Sequence, residues 1–186
     1  MKLHIKSDMH LCCKIILQEQ LDKLQLAYTI TGLGEVELKG TVPTARYAEL
    51  EISLKRYGIE IIDNPKSILV QKIKDAIVEM TYLQETLPIS NNLAYLADKL
   101  NKTYHNLAET FVEITSISIQ SYLIYQRIER TKQEIIEGKL NITQIAWKLK
   151  YSSVAHLSNE FKKITGLTPT GFQRIMKTRK KTELNH

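Results

Sequence analysis

The sequence predicts an α+β chain in two parts, a mixed strand-and-helix domain over residues 1–64 and an all-helical domain over residues 65–186. Three observations carry that prediction. Strand and helix periodicities alternate through the first 64 residues. An Asn64-Pro65 pair then opens a long run of helical periodicity, and within that run residues 92–122 recur at 141–172.

In the first part, Leu3 and Ile5 flank His4 at period two, the spacing of a strand. A helix is expected from about Leu11 to Leu26, with Leu11, Ile15 and Leu21 among its apolar positions. Two short alternating runs follow, Tyr28 to Thr31 and Glu35 to Leu38, separated by Gly32 and Gly34 as hairpin punctuation. Tyr47, Leu50, Leu54 and Tyr57 mark a second helix at spacings of three and four, closed by Gly58. Ile59-Glu60-Ile61 is expected to be the last strand. The order βαββαβ is that of a ferredoxin-like domain, two helices covering a four-stranded antiparallel sheet.

In the second part, Asn64 as N-cap and Pro65 at the first helical position form a helix-start signature. Ile68, Leu69, Ile73, Ala76, Ile77 and Met80 make the apolar stripe, and Thr86-Leu87-Pro88 is expected to stop the helix.

The repeat carries the functional information. Leu93, Leu96, Ala97 and Leu100 match Ile142, Ile145, Ala146 and Leu149, each set spaced i, i+3, i+4, i+7. A turn follows that is one residue longer in the second copy. Leu107, Phe111 and Ile114 then match Leu157, Phe161 and Ile164, and Tyr122 matches Phe172. Each copy is thus a short amphipathic helix, a turn and a second amphipathic helix. Ala97 or Ala146 is the small residue that lets the pair cross closely, and the arrangement is a helix-turn-helix. Asn141 with Gln144 is expected to form a capping box, Ser152 or Ser153 to cap the next helix, and Thr168-Pro169 to start the last one.

Between the copies runs one helix, Ile119 to Glu137. At ~1.5 Å per residue its nineteen residues span roughly 28 Å. Major-groove segments on one side of B-DNA recur every ~34 Å, so such a connector can set two recognition helices into adjacent segments without a dimer.

Charge agrees with a polyanion partner. Residues 1–64 carry 8 Lys/Arg against 9 Asp/Glu, whereas the remaining residues carry 18 against 11. The excess positive charge of the chain, +6 overall, therefore lies in the second part, as a nucleic-acid footprint or only as a solvated face. The first residues, with Asp8, His10 and Lys14, do not read as a signal peptide, and no run reaches the ~18 apolar residues of a membrane span. Two adjacent cysteines, Cys12 and Cys13, are no disulfide framework, so a reducing cytoplasm is expected. No nucleophile-elbow, zinc-protease, P-loop or dinucleotide fingerprint occurs, and an enzyme is not expected.

The motif set resembles a known family. Ile142-Thr143-Gln144-Ile145-Ala146, Tyr151-Ser152-Ser153, His156 through Lys163, Gly166-Leu167-Thr168-Pro169 and Phe172-Gln173-Arg174 are similar to the DNA-binding domain of the AraC/XylS bacterial transcription regulators. The resemblance covers residues 65–179, and the first unit lacks the matching glycine and proline, having Ser116 and Ile119 there. It implies sequence-specific binding of double-stranded DNA by two recognition helices, at about 103–114 and 153–164. RNA polymerase is a second expected partner, and neither a cofactor nor a membrane partner is expected; the connecting helix permits binding as a monomer, with the oligomeric state left open.

In the second unit the positions matching the family's recognition helix are Val154, Ala155, His156 and Asn159. Val154 or Ala155 can pack on a thymine methyl, Asn159 can bond adenine bidentately, and His156 can donate to a guanine edge. Ser152, Ser153, Lys162 and Lys163 suit phosphate contacts, which position without specifying. In the first unit Tyr104, His105, Asn106 and Glu109 take the outward side of the second helix, with Lys102 in the turn. Glu109 either accepts from cytosine N4 or weakens this unit so that the second dominates. Arg174 opens a basic cluster, with Lys177, Arg179, Lys180 and Lys181, that is either a phosphate clamp or a disordered tail.

The N-terminal layout resembles a heavy-metal-associated domain in which the first cysteine of the metal motif is missing. In place of Met-x-Cys-x-x-Cys stand Met9, His10, Cys12 and Cys13, with His10 and Cys13 on the two ligand positions. Imidazole and thiolate suit Zn²⁺ or copper, but two ligands are half a tetrahedral site. The resemblance therefore leaves a degenerate domain with Cys13 in its core, or a metal sensor that gates DNA binding.

Overall fold

The computed structural model describes residues 9–82 and 92–184, with side chains described over 11–82 and 93–179. The chain divides into two compact units, residues 1–71 and 72–186.

The first unit holds helix α1 (Met9–Lys23), strands β1 (Tyr28–Ile30) and β2 (Val36–Leu38), and helix α2 (Thr44–Lys55). Helix α3 (Pro65–Tyr82) starts in this unit and ends in the second. Asn64 caps α3 as expected, its Oδ1 accepting from the Lys66 and Ser67 amides. α1 packs on α2 around buried Leu21, Leu26, Leu50 and Leu54. The chain leaves α1 through Gln25 in the left-handed region (φ 52°), with the Leu26 amide returning to the Leu21 carbonyl at 3.0 Å. The two strands pair antiparallel, Tyr28 opposite Leu38 and Ile30 opposite Val36. Arg46 Nη1 donates to the Leu24 carbonyl (3.2 Å), tying α2 to the turn after α1.

This is not the ferredoxin-like βαββαβ domain that the periodicity predicts. Among the described residues the sheet has two strands of three residues each, and helices dominate the unit. Ile59-Glu60-Ile61 is not a strand. Gly58 (φ 72°) reverses the chain after α2, and the Ile59 amide is spent on the Leu54 carbonyl at 3.1 Å. Ile59 and Ile61 still pack against the Leu21–Leu54 core, so their alternation reflects burial of an extended segment without a ladder. The strand expected at Leu3 and Ile5 lies outside the described residues. With the four-stranded sheet gone, the heavy-metal-associated resemblance loses its fold. The helix stop expected at Thr86-Leu87-Pro88 also lies outside the described residues.

The second unit holds α4 (Asn92–Lys99), α5 (Tyr104–Thr115), α6 (Ile119–Glu137), α7 (Ile142–Lys148), α8 (Val154–Thr165) and α9 (Pro169–Leu184). α6 packs on α5, α7, α8 and α9 and is the spine of the unit. Leu96, Leu107 and Phe111 are fully buried in the first copy. In the second, Ile145, Ala146, Leu157 and Phe161 close on Ile128 and Ile135 of α6.

The repetition extends to the hydrogen bonds. After α4 and α7 the chain turns through Asn101 (φ 49°) and Lys150 (φ 59°), both left-handed, and the next amide bonds back to Ala97 or Ala146. Thr103 and Ser153 cap α5 and α8, accepting from the Asn106 and His156 amides. Thr115 and Thr165 each donate to the carbonyl four residues earlier, and Ser116 and Gly166 follow in the left-handed region. Ser118 and Thr168 then cap α6 and α9. Phe111 meets Tyr122, and Phe161 meets Phe172, with ring centroids 5.6 Å apart in both copies. The capping box on α7 closes from both sides, the Asn141 amide to Gln144 at 2.9 Å and the Gln144 amide to Asn141 at 2.8 Å. Caps of this kind are worth about 1 kcal/mol each, so the boundaries are written into the hydroxyl and amide side chains.

Candidate nucleic-acid interface

α8 displays its polar side at the end of a rigid construction. Leu157 and Phe161 anchor it to the core, and Ser153 holds its first turn. On the outward side Ala155, His156, Asn159, Lys162 and Lys163 are exposed. Val154 is half-buried and packs against the core, so Ala155 is the more accessible of the two apolar positions. The two serines differ in role. Ser153 Oγ is occupied as the N-cap, whereas exposed Ser152 reaches His156 Nδ1 at 3.0 Å.

α5 offers the corresponding surface of the first copy. His105, Asn106 and Glu109 are exposed, Tyr104 is half-buried, and Lys102 is exposed in the turn before it. Leu107 and Phe111 face inward. The helix-turn-helix thus brings four of the expected residues onto α5 and six onto α8. Arg174 is exposed on α9, where Thr170, Gln173, Arg174, Lys177 and Thr178 line a shallow cavity of about 350 Å³.

Three residues beside this surface were not legible from spacing alone. Tyr151, buried at the end of the turn, sets its ring edge-on to His156 with centroids 5.4 Å apart. Arg127 of α6 lies over the Tyr151 ring, 5.9 Å from its centroid. Glu160, one turn after His156, approaches its Nε2 at 3.3 Å through Oε1. Burial, and then the nearby Glu160 carboxylate, push the Tyr151 hydroxyl well above its ordinary range, against the opposing pull of Arg127. Burial lowers the Arg127 guanidinium while Tyr151 and Glu160 counteract it. The i, i+4 spacing of His156 and Glu160 was the one available sequence signal.

The pair expected to hold metal does not form a site in the described residues. His10 and Cys13 both fall on α1, one turn apart, rather than in a loop after a strand. The His10 side chain lies outside the described residues, and Cys13 is a half-buried free thiol. Among the described residues no three His, Cys, Asp or Glu side chains gather as metal ligands. No helix among them is long and apolar enough to cross a membrane.

Comparison with known proteins places the repeat. Residues 96–175 match the family model of a helix-turn-helix domain. The Msm operon regulatory protein of Streptococcus mutans serotype c is 29% identical over 79 residues, 42% of this chain and 28% of that protein. The chain therefore spans little more than a quarter of the length of that curated relative. The C-terminal domain of AraT, a response regulator from Geobacillus stearothermophilus, superposes with a TM-score of 0.52 at 24% identity, over 60% of this chain and 88% of that one. A DNA-binding transcriptional dual regulator from Escherichia coli K-12 gives 0.47 at 23% identity, over 57% of this chain and 95% of that one. Residues 96–175 are thus a helix-turn-helix domain, and the second unit shares the fold of the AraT C-terminal domain.

Proposed function

We propose that the chain is a transcription regulator of the AraC/XylS type that sets α5 and α8 into successive major-groove segments of one DNA duplex. The observation that carries this reading is the doubled helix-turn-helix, with matching caps and left-handed turns, joined by the nineteen-residue helix α6. At roughly 28 Å that helix is close to one turn of B-DNA. Asn159, His156 and Ala155 read bases from the second copy, while Lys162, Lys163 and Arg174 hold phosphates. His105, Asn106 and Glu109 read from the first copy, with Lys102 on the backbone.

In this reading the DNA-binding module runs from residue 65, the small unit before it supplies a regulatory contact, one monomer occupies a site, and RNA polymerase is the second partner. No catalytic step belongs to it.

Selection of bound duplexes from a random DNA pool tests the proposal. The intact chain is expected to enrich one motif, and His156→Ala with Asn159→Ala to relax base preference while nonspecific binding stays largely intact. An unaltered motif in the double variant would overturn the assignment of α8 as the recognition helix. Absence of any enriched motif would overturn sequence-specific DNA binding itself.

A further inference from the structure

We propose that Glu160 is a positioning residue for base recognition, one that holds the His156 ring, together with Ser152, in a single orientation on the outward side of α8. The inference rests on the reading of α8 as a recognition helix. It goes beyond that reading because Glu160 itself is partly buried, with its Oε2 shut off from water.

The geometry is a tether at each ring nitrogen. Nδ1 of His156 lies 3.0 Å from Ser152 Oγ, and Nε2 lies 3.3 Å from Glu160 Oε1. A carboxylate only accepts, so Nε2 carries the proton directed at Glu160. In the neutral ring Nδ1 is then the acceptor for the Ser152 hydroxyl. The buried Tyr151 ring closes the third side, edge-on to the imidazole. Glu160 Oε2 is buried with no hydrogen-bond partner among the described residues, and the Arg127 guanidinium attracts the carboxylate. Arg127 on α6 lies over the Tyr151 ring, 5.9 Å from its centroid.

Two consequences follow for recognition. A ring fixed by two partners loses little freedom when DNA arrives, and such preorganisation raises affinity without a new contact. With both nitrogens engaged, the ring has no spare N–H for guanine in the free protein; Ser152, exposed and outside the helix, is the partner most easily exchanged, and its release frees Nδ1 as an acceptor for a base amino group. The tether is particular to the second copy. By the repeat the first copy has Asn106 and Thr110 where His156 and Glu160 stand, and Thr110 is buried.

Selected-site binding with a matched set of variants tests this. Glu160→Ala is expected to reduce discrimination about 10-fold at the same base pair that His156→Ala relaxes, since one misread pair costs ~1–3 kcal/mol. It should add nothing there in a His156→Ala background, and nonspecific affinity should not fall. Glu160→Gln, whose amide oxygen still accepts from Nε2, should restore most of the discrimination. Ser152→Ala, at an exposed position, should relax that base pair as well. If it weakened all sequences uniformly it would be a phosphate contact only, and the tether would be overturned. Unchanged discrimination in Glu160→Ala, or an equal loss with and without His156, would also overturn the proposal while leaving DNA binding standing. Failure of the unaltered chain to select any motif would overturn both.

Discussion

Glu134 of α6 is 2% exposed and accepts from Lys148 Nζ of α7 at 2.8 Å, an ion pair on a buried carboxylate that joins the connecting helix to the second helix-turn-helix. Arg130, one turn earlier on α6, approaches the same oxygen at 2.7 Å. The carboxylate thus bridges two cations that keep partial access to water. Loss of Glu134 alone therefore leaves a cavity more than a stranded charge. Glu134→Ala is expected to lower stability by about 2 kcal/mol, below the 3–5 kcal/mol typical when one member of a fully buried pair is removed. Glu134→Leu, which refills the volume, should recover most of that loss. Denaturant titration of the two variants checks both.

Ser116 and Gly166 occupy equivalent left-handed positions with φ of 59° and 76°. The conformation costs a residue with a Cβ roughly 1 kcal/mol. Ser116→Gly should therefore stabilise the protein by about 0.5–1 kcal/mol, and Gly166→Ala should destabilise it by a similar amount. A Cβ at Gly166 meets nothing within 4 Å, so the second effect is backbone strain alone. Thermal unfolding of the two variants reads both signs.

Much of this was legible in the sequence, for identifiable reasons. The repeat sets buried residues at fixed spacing, and the helix boundaries rest on local signals such as Asn141 with Gln144 or Thr168 before Pro169. Such signals need only the neighbouring residues. The first unit was read less well, because Ile59-Glu60-Ile61 has the same alternation whether its backbone pairs in a sheet or only lies along the core. Gly58 and the Ile59–Leu54 hydrogen bond decide that, and both act through chain direction rather than composition. Glu134 and Glu160 were missed because a carboxylate on an amphipathic helix is ordinarily solvated. Only the approach of Lys148 to one, and of His156, Tyr151 and Arg127 to the other, gives them roles.

The basic outward residues imply a strong electrostatic component. If Lys102, Lys162, Lys163, Arg174 and neighbouring cations neutralise ~6 phosphates, log K should fall against log salt with a slope of about −5. A titration between 50 and 200 mM salt measures it. Alanine at Lys162 should shallow the slope by about one and weaken all sequences alike. A slope near zero would remove the phosphate contacts from the account.

The measurement that bears most directly on the tandem arrangement is affinity for a selected duplex with base pairs inserted between the two halves of its motif. Five inserted base pairs turn one half to about the opposite side of the helix axis. Because α6 is a continuous helix packed on both copies, affinity should fall at least about 10-fold, to that of a duplex carrying the α8 half alone. Undiminished affinity after the insertion would contradict the claim that both helix-turn-helix copies read DNA together.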